Sequence, residues 1–204
     1  MFYLPQQFEG LSPKRQKAIY DDLMAERNDA AMNAVVIGLK CLNQVYGMGL
    51  QSLAALSTSW GPDIVQFYKN GNSVRDGWPQ GMSAGDLITD PLTRYADLSD
   101  RMMRQITAYF AQMRLEAQSN AYAIGIDTIR QQLHFGDTRI ARLERQWLAD
   151  LELFYRERET CEPQLRAWIE DIGFIWENGR LQAYRRHDND RTVRKRTAEK
   201  MYPE

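Results

Sequence analysis

Cysteine, histidine and long apolar runs are all scarce in this chain, and each scarcity excludes something. Two cysteines among 204 residues, Cys41 and Cys161, form no CxxC and stand far apart. A disulfide framework or a zinc site is therefore not expected, and a reducing compartment is the default. The two histidines, His134 and His187, belong to no HExxH or i, i+4 ligand pair, so no metal is expected. The longest apolar run, Ala34 to Leu39, is far too short to span a bilayer, and the opening MFYLPQQFEGL has no basic n-region. The expectation is a cytoplasmic protein. A net charge of −1 argues against a wholly basic nucleic-acid wrapper and leaves local patches open.

Motifs with catalytic mechanics are missing as well. There is no GxSxG, no phosphate-loop GxxxxGK and no dinucleotide fingerprint. Asp21-Asp22 and Glu157/Glu159 have the pattern of exposed helix charges, and the aspartates Asp63 and Asp150 fit helix capping or a local ion pair. The expectation is a non-enzymatic protein with no cofactor.

What the chain does have is a repeat of itself. Residues 11–70 lie over residues 98–157 at a constant offset of 87 without a gap, and seventeen of the sixty pairs are identical. Chance supplies about one match in fifteen to twenty at ordinary residue frequencies. The identities include Asn33/Asn120, Ala34/Ala121, Gly38/Gly125, Trp60/Trp147, Asp63/Asp150 and Phe67/Phe154. Two copies are too few for a solenoid, so the reading is one pseudo-two-fold body, equivalent to a homodimer fused into one chain.

Each copy opens on a helix start, Ser12-Pro13 or Ser99-Asp100, and then runs without proline to a glycine turn at Gly47 or Gly136. The stripe Gln16, Ile19, Leu23, Glu26, Ala30, Asn33, Ile37 advances by threes and fours, and Met103, Ile106, Phe110, Met113, Ala117, Asn120, Ile124 repeats it. This spacing predicts a long helix of about thirty residues in each copy with a coiled-coil-like seam. The small pairs Ala30/Ala117 and Gly38/Gly125 let the long helices approach closely. Asn33 and Asn120 either set register as buried amides or serve a polar ligand site. A second helix in each copy carries Leu53, Leu56 and Trp60, or Ile140, Leu143 and Trp147, with the tryptophans read as core anchors before binding hot spots. Gly61-Pro62 predicts a bend or restart near Asp63.

Residues 71–97, rich in Gly, Pro, Asn and Asp, read as a linker loop long enough to be functional, with Trp78 and Tyr95 as candidates to insert into a partner. Residues 158–204 predict a short helix from Pro163 to Ile172, a β-hairpin about Asn178-Gly179, and a charged tail. From Arg180 to Arg196 there are seven basic residues against two acidic, including Arg185, Arg186, Arg194, Lys195 and Arg196. This segment is either a solvated tail or a contact for nucleic acid or an acidic protein.

The turn Gly47-Met48-Gly49 between two apolar helices resembles a helix-hairpin-helix element, whose turn presents backbone N–H groups to a DNA phosphate. Copy two departs from it, with His134 in place of the first glycine and Asp137 where the phosphate would sit. Tyr46-Gly47-Met48-Gly49 with Leu53, and His134-Phe135-Gly136 with Arg139-Ile140, also resemble a pattern in small helical proteins of unknown function from phages of Gram-positive bacteria. In these an apolar helix ends in a Phe-Gly-Phe-Gly-like turn followed by an Arg-Leu-rich helix. That likeness implies a phage or mobile-element origin, where nucleic-acid handling and inhibition of host defence are common occupations, and it implies no catalytic residue.

The copies have diverged unequally. From Cys41 to Pro62 copy one has no charged residue in 22 positions, whereas the matching window, Thr128 to Ala149, carries Arg130, Asp137, Arg139, Arg142, Glu144 and Arg145. The neutral helix pair is either more buried within the chain or a partner surface. The expected fold is all-α, a pseudo-two-fold helical body with a small C-terminal β-hairpin. The expected function is a non-enzymatic interaction protein that binds and inhibits a bacterial nucleic-acid-processing or defence protein, in the manner of an anti-CRISPR or other anti-defence factor. The alternative is a direct DNA- or RNA-binding module using Arg139, Arg142, Arg145 and the basic C-terminal segment.

Overall fold

A computed structural model of the chain describes Phe8, residues 10–69, Tyr95, residues 97–177 and residues 180–183. Five helices and one hairpin follow in order: α1 (Pro13–Tyr46), α2 (Leu50–Lys69), α3 (Asp100–Leu133), α4 (Asp137–Arg156), α5 (Arg158–Ile172), β1 (Phe174–Glu177) and β2 (Arg180–Ala183). The fold is all-α with a small C-terminal hairpin. The offset of 87 that relates the two sequence copies also relates both ends of α1 to α3 and both ends of α2 to α4. At 34 residues each, the long helices extend about 50 Å. None of the described helices is long and apolar enough to cross a membrane.

The same local chemistry starts both long helices. Ser12 Oγ accepts from the Arg15 amide at 3.3 Å and Ser99 Oγ from the Met102 amide at 3.4 Å, so each serine satisfies a helix-start N–H that has no carbonyl partner. Both helices end on a left-handed residue, Gly47 at φ 65° and His134 at φ 52°. Glycine takes this conformation freely, whereas an L side chain crowds its own carbonyl there. His134→Gly is therefore expected to raise stability by about 0.5–1 kcal/mol, the relief of strain exceeding the extra freedom glycine gives the unfolded chain. A urea-denaturation midpoint that stays put or falls would contradict this.

α1 and α3 run side by side and parallel: Ile19 and Ile106 share one cluster near their starts, and the buried Arg114 pairs with Glu26 further along. The short helices then cross over. α2 lies against α3 and α4 against α1, so each copy completes its core on the other. Trp60 Nε1 of α2 donates to the Ala121 carbonyl of α3 at 3.0 Å, and Trp147 Nε1 of α4 donates to the Ala34 carbonyl of α1 at 3.1 Å. Because Trp60 matches Trp147 and Ala34 matches Ala121, these two bonds are one interaction made twice, as in an isologous interface. The indoles meet edge to face at the centre, centroids 5.2 Å apart. Gly38 lies beneath Trp147 and Gly125 beneath Trp60, which is the packing reason for a glycine inside each long helix.

A second pair of bonds follows the same symmetry. Thr128 Oγ1, which is 2.8 Å from the Ile124 carbonyl of its own helix, also lies 3.3 Å from Asp63 Oδ2, and Cys41 Sγ lies 3.4 Å from Asp150 Oδ2, each placing a long helix against the other copy's short one. Asp150 thus accepts a buried thiol, and Asp63 stands beside a buried hydroxyl, where capping or a local ion pair is the expectation. Burial, with the Asp150 carboxylate beside it, pushes the Cys41 thiol far up, so the thiol keeps the proton that the bond uses.

Four other expectations need correction. α2 continues through Gly61-Pro62 without a break. Trp60 is anchored in the core just before the proline and Ile64 packs on the core just after it, while Thr58 and Pro62 are exposed. The Thr58 carbonyl that loses its partner to proline faces water, and tertiary packing on the opposite side holds the helix together. Asn33 does not set register across the helix pair, since its Nδ2 donates to Asp29 Oδ2 at 3.1 Å within α1. α5 begins at Arg158, five residues before the expected start, and carries Pro163 inside it. Tyr95 is no partner-seeking loop residue: it is 2% exposed, its hydroxyl donates to Asp22, and its ring packs with Phe110 in a core with Phe8, Ile19, Leu23 and Ile106. Phe8 is the residue 87 positions before Tyr95, and the Leu11 and Leu98 amides bond the Phe8 and Tyr95 carbonyls at 3.1 and 2.9 Å. The matched structure therefore begins three residues earlier than the sequence alignment.

The hairpin pairs Phe174 with Ala183 and Glu177 with Arg180, about the Asn178-Gly179 pair that lies outside the described residues. β2 packs on α2, Gly173 sits beneath Leu50, and Trp168 Nε1 reaches Asn43 Oδ1 at 3.4 Å. Of these C-terminal elements the hairpin packs on α2 of copy one, while α5 packs on both α1 and α4. Beyond the five positions fully buried in both windows, eight of the neutral window's residues are half-buried, against four in the charged one. The neutrality of copy one therefore follows in part from burial within the chain.

Candidate functional site

The two glycine turns come together at one end of the molecule. Tyr46, the last residue of α1, sends its hydroxyl to the Arg139 carbonyl in the first turn of α4 at 2.7 Å. Its ring meets Phe135 of the second turn edge-on, centroids 4.9 Å apart. Over these two rings lie two guanidinium groups, Arg139 above Phe135 at 5.4 Å and Arg142 above Tyr46 at 5.9 Å, both within cation–π range. Arg145 follows one step further, so the three arginines stand at three-residue intervals on the exposed side of α4.

The acidic residues nearby leave this face cationic. Asp137 is paired with Arg130 at 2.8 Å, which neutralises both. Glu144 turns inward to the buried Tyr122, whose phenol is pushed up by burial and then by that carboxylate. No described carboxylate is within ion-pair distance of Arg139, Arg142 or Arg145.

The matched positions of copy one act as an internal control. Ser52, Ala55 and Thr58 of α2 stand where Arg139, Arg142 and Arg145 stand in α4, and all six are exposed. Thr58 Oγ1 merely bonds back to the Ala54 carbonyl at 2.8 Å. One scaffold thus presents the same three positions twice, neutral on one side and cationic on the other. The fold does not require arginine at these positions.

The Gly47-Met48-Gly49 turn adjoins this face through Tyr46. Gly47 caps α1, Met48 packs on the core and accepts Asn43 Nδ2 at 2.9 Å, and the Gly49 carbonyl accepts the Leu53 amide at 3.1 Å. These bonds describe a tight helix connection whose first glycine supplies positive φ. Trp78, Arg185, Arg186, Arg194, Lys195 and Arg196 lie outside the described residues.

A second polar assembly was not anticipated from sequence. Arg114 pairs with Glu26, Arg158 reaches Asp29 at 3.3 Å and Glu162 at 3.4 Å, and Arg166 holds Glu162 at 2.8 Å, which together tie α5 to α1 and α3. Burial pushes the Asp29 carboxyl up against the pull of Arg158, whereas the hydrogen bond from Arg166 draws Glu162 down. Buried between them, Gln118 and the Tyr155 phenol make no hydrogen bond of normal geometry, and burial pushes Tyr155 up. The only sequence signal for this assembly was the alternation of acidic and basic residues after Arg156. Among the described residues no group of three or more His, Cys, Asp or Glu side chains is placed to hold a metal ion. No protein-family model, curated protein or solved structure matches the chain.

Proposed function

We propose that this chain is a non-enzymatic binding protein that engages nucleic acid through the arginine face of α4. The observation that carries the reading is the contrast between the two copies. Arg139, Arg142 and Arg145 occupy positions where Ser52, Ala55 and Thr58 serve the same fold equally well, and unpaired cations that folding does not need are what a polyanion recognises. The protein-inhibitor expectation drew on an apolar or aromatic docking surface, in the linker or on copy one. Tyr95 is buried, the copy-one window is partly covered by α5 and the hairpin, and Leu153 is the large hydrophobic residue exposed among those described. Among the described residues the geometry therefore favours direct nucleic-acid contact.

Three arginine charges brought against a polyanion, each displacing counterions whether its side chain meets a phosphate or a base, make a quantitative statement. They give a slope of about −2.1 to −2.7 in log affinity against log salt, so affinity is expected to fall roughly 20- to 40-fold between 50 and 200 mM salt. The variant Arg139→Ser/Arg142→Ala/Arg145→Thr, which transplants copy one's residues into copy two, is expected to keep its fold by circular dichroism and to lose saturable binding of a labelled oligonucleotide in fluorescence anisotropy. Binding equal to that of the unaltered protein would refute the assignment of this face.

A further inference from the structure

Resting on that reading, we infer that the ligand of the arginine face is single-stranded nucleic acid, held by bases stacked on the Arg139 and Arg142 guanidinium planes. A guanidinium laid over an aromatic ring keeps one of its two flat faces against the ring and turns the other outward. Arg139 Cζ lies 5.4 Å from the Phe135 ring centroid and Arg142 Cζ 5.9 Å from that of Tyr46, and both arginines are exposed, so each is available to a second partner. An unstacked base can close each pair into a ring–guanidinium–base sandwich, which is how arginine planes and aromatic groups take up single strands. A duplex keeps its bases stacked inward and offers these planes nothing but phosphates.

The arrangement is also fixed before any ligand arrives. Tyr46 is clamped at both ends, by its hydroxyl on the Arg139 carbonyl at 2.7 Å and by its ring on Phe135 at 4.9 Å, so the two turns and the start of α4 form one unit. A platform already ordered loses little freedom on binding. Three residues apart on one helix, Arg139 and Arg142 have Cβ atoms about 5–6 Å from each other, a separation suited to neighbouring nucleotides. Arg145 carries no ring contact among the described residues and remains for the phosphate backbone.

The discriminating variant is Arg139→Lys/Arg142→Lys, which keeps both charges and removes both planes. Fluorescence anisotropy at fixed salt would compare a labelled twenty-nucleotide oligothymidylate, an abasic strand of the same length, and a twenty-base-pair duplex. The unaltered protein is expected to bind oligothymidylate roughly tenfold or more tightly than the abasic strand, and the lysine variant is expected to lose a similar factor on oligothymidylate while its duplex binding stays unchanged. Equal affinity for oligothymidylate and the abasic strand, or a lysine variant equal to the original, would overturn stacking and leave a purely electrostatic nucleic-acid site. Failure of all three probes to bind would overturn the nucleic-acid reading itself, and this inference with it.

Discussion

Gly125→Ala is expected to destabilise the protein by about 2 kcal/mol or more, although alanine is the better helix former by about 1 kcal/mol. A Cβ at Gly125 would overlap the Trp60 ring and lie 2.7 Å from Trp147 Cη2, and both indoles are fully buried. Neither ring is free to move aside, because each is held by its N–H bond to the opposite long helix and by the other indole. Overpacking a rigid core in this way exceeds the gain in propensity. At Gly38 the three nearest atoms all belong to Trp147, the closest at 2.5 Å against 1.9 Å at Gly125, so the loss in Gly38→Ala is expected to be the smaller of the two. Denaturant unfolding monitored by tryptophan fluorescence would read both. A Gly125→Ala protein as stable as the original would show that the helices do not approach as closely as this.

Trp147→Ala is expected to be more damaging still, at about 3–5 kcal/mol. It empties the centre of the core, removes the bond to the Ala34 carbonyl and leaves the edges of both Trp60 and Tyr122 without a partner ring. Trp60→Ala is expected to lose somewhat less, because among the described rings Trp60 pairs with Trp147 and not with a tyrosine. Against a typical total of 5–15 kcal/mol, either change consumes much of the protein's stability. Losses in the double variant should fall short of additive, since the two rings touch. Thermal or denaturant unfolding of the three variants gives the comparison, and a Trp60→Ala protein less stable than Trp147→Ala would overturn this ranking.

The reciprocal contacts bear on how the chain divides. Because α2 lies on α3 and α4 on α1, neither set of residues 11–70 nor 98–157 encloses a core of its own. The molecule behaves as a closed two-fold assembly whose halves share one chain, to which α5 and the hairpin are added without a matched counterpart. Selection could then alter one outer face without the other. The two outer faces do differ in this way, with Arg139, Arg142 and Arg145 on α4 against Ser52, Ala55 and Thr58 on α2.

Local signals were legible wherever a residue's own chemistry decides its conformation. Ser12, Ser99, Gly47 and the Asn178-Gly179 hairpin register could all be read from sequence, because capping hydroxyls, positive φ and two-residue turns involve only a few neighbouring atoms. Gly61-Pro62 misled for the opposite reason. Its local cost is outweighed by Trp60 and Ile64 packed on distant helices, a term absent from any short window. Tyr95 misled likewise, since a tyrosine in a Gly- and Pro-rich stretch gives no sign of the core that Asp22, Phe110 and Phe8 assemble around it. Of the candidate site, the arginines were visible as residues, but the rings beneath them come from two different turns.

By itself the sequence determined the helix count, the caps, the hairpin and the repeat offset, because period, propensity and identity are properties of the chain alone. The tertiary structure decided that each short helix belongs to the opposite copy, that matched glycines exist to admit matched indoles, and that Tyr46 and Phe135 meet under Arg142 and Arg139. Those are relations between residues far apart in the sequence, such as the 93 positions between Tyr46 and Arg139, and only shape and burial in the folded core select among them.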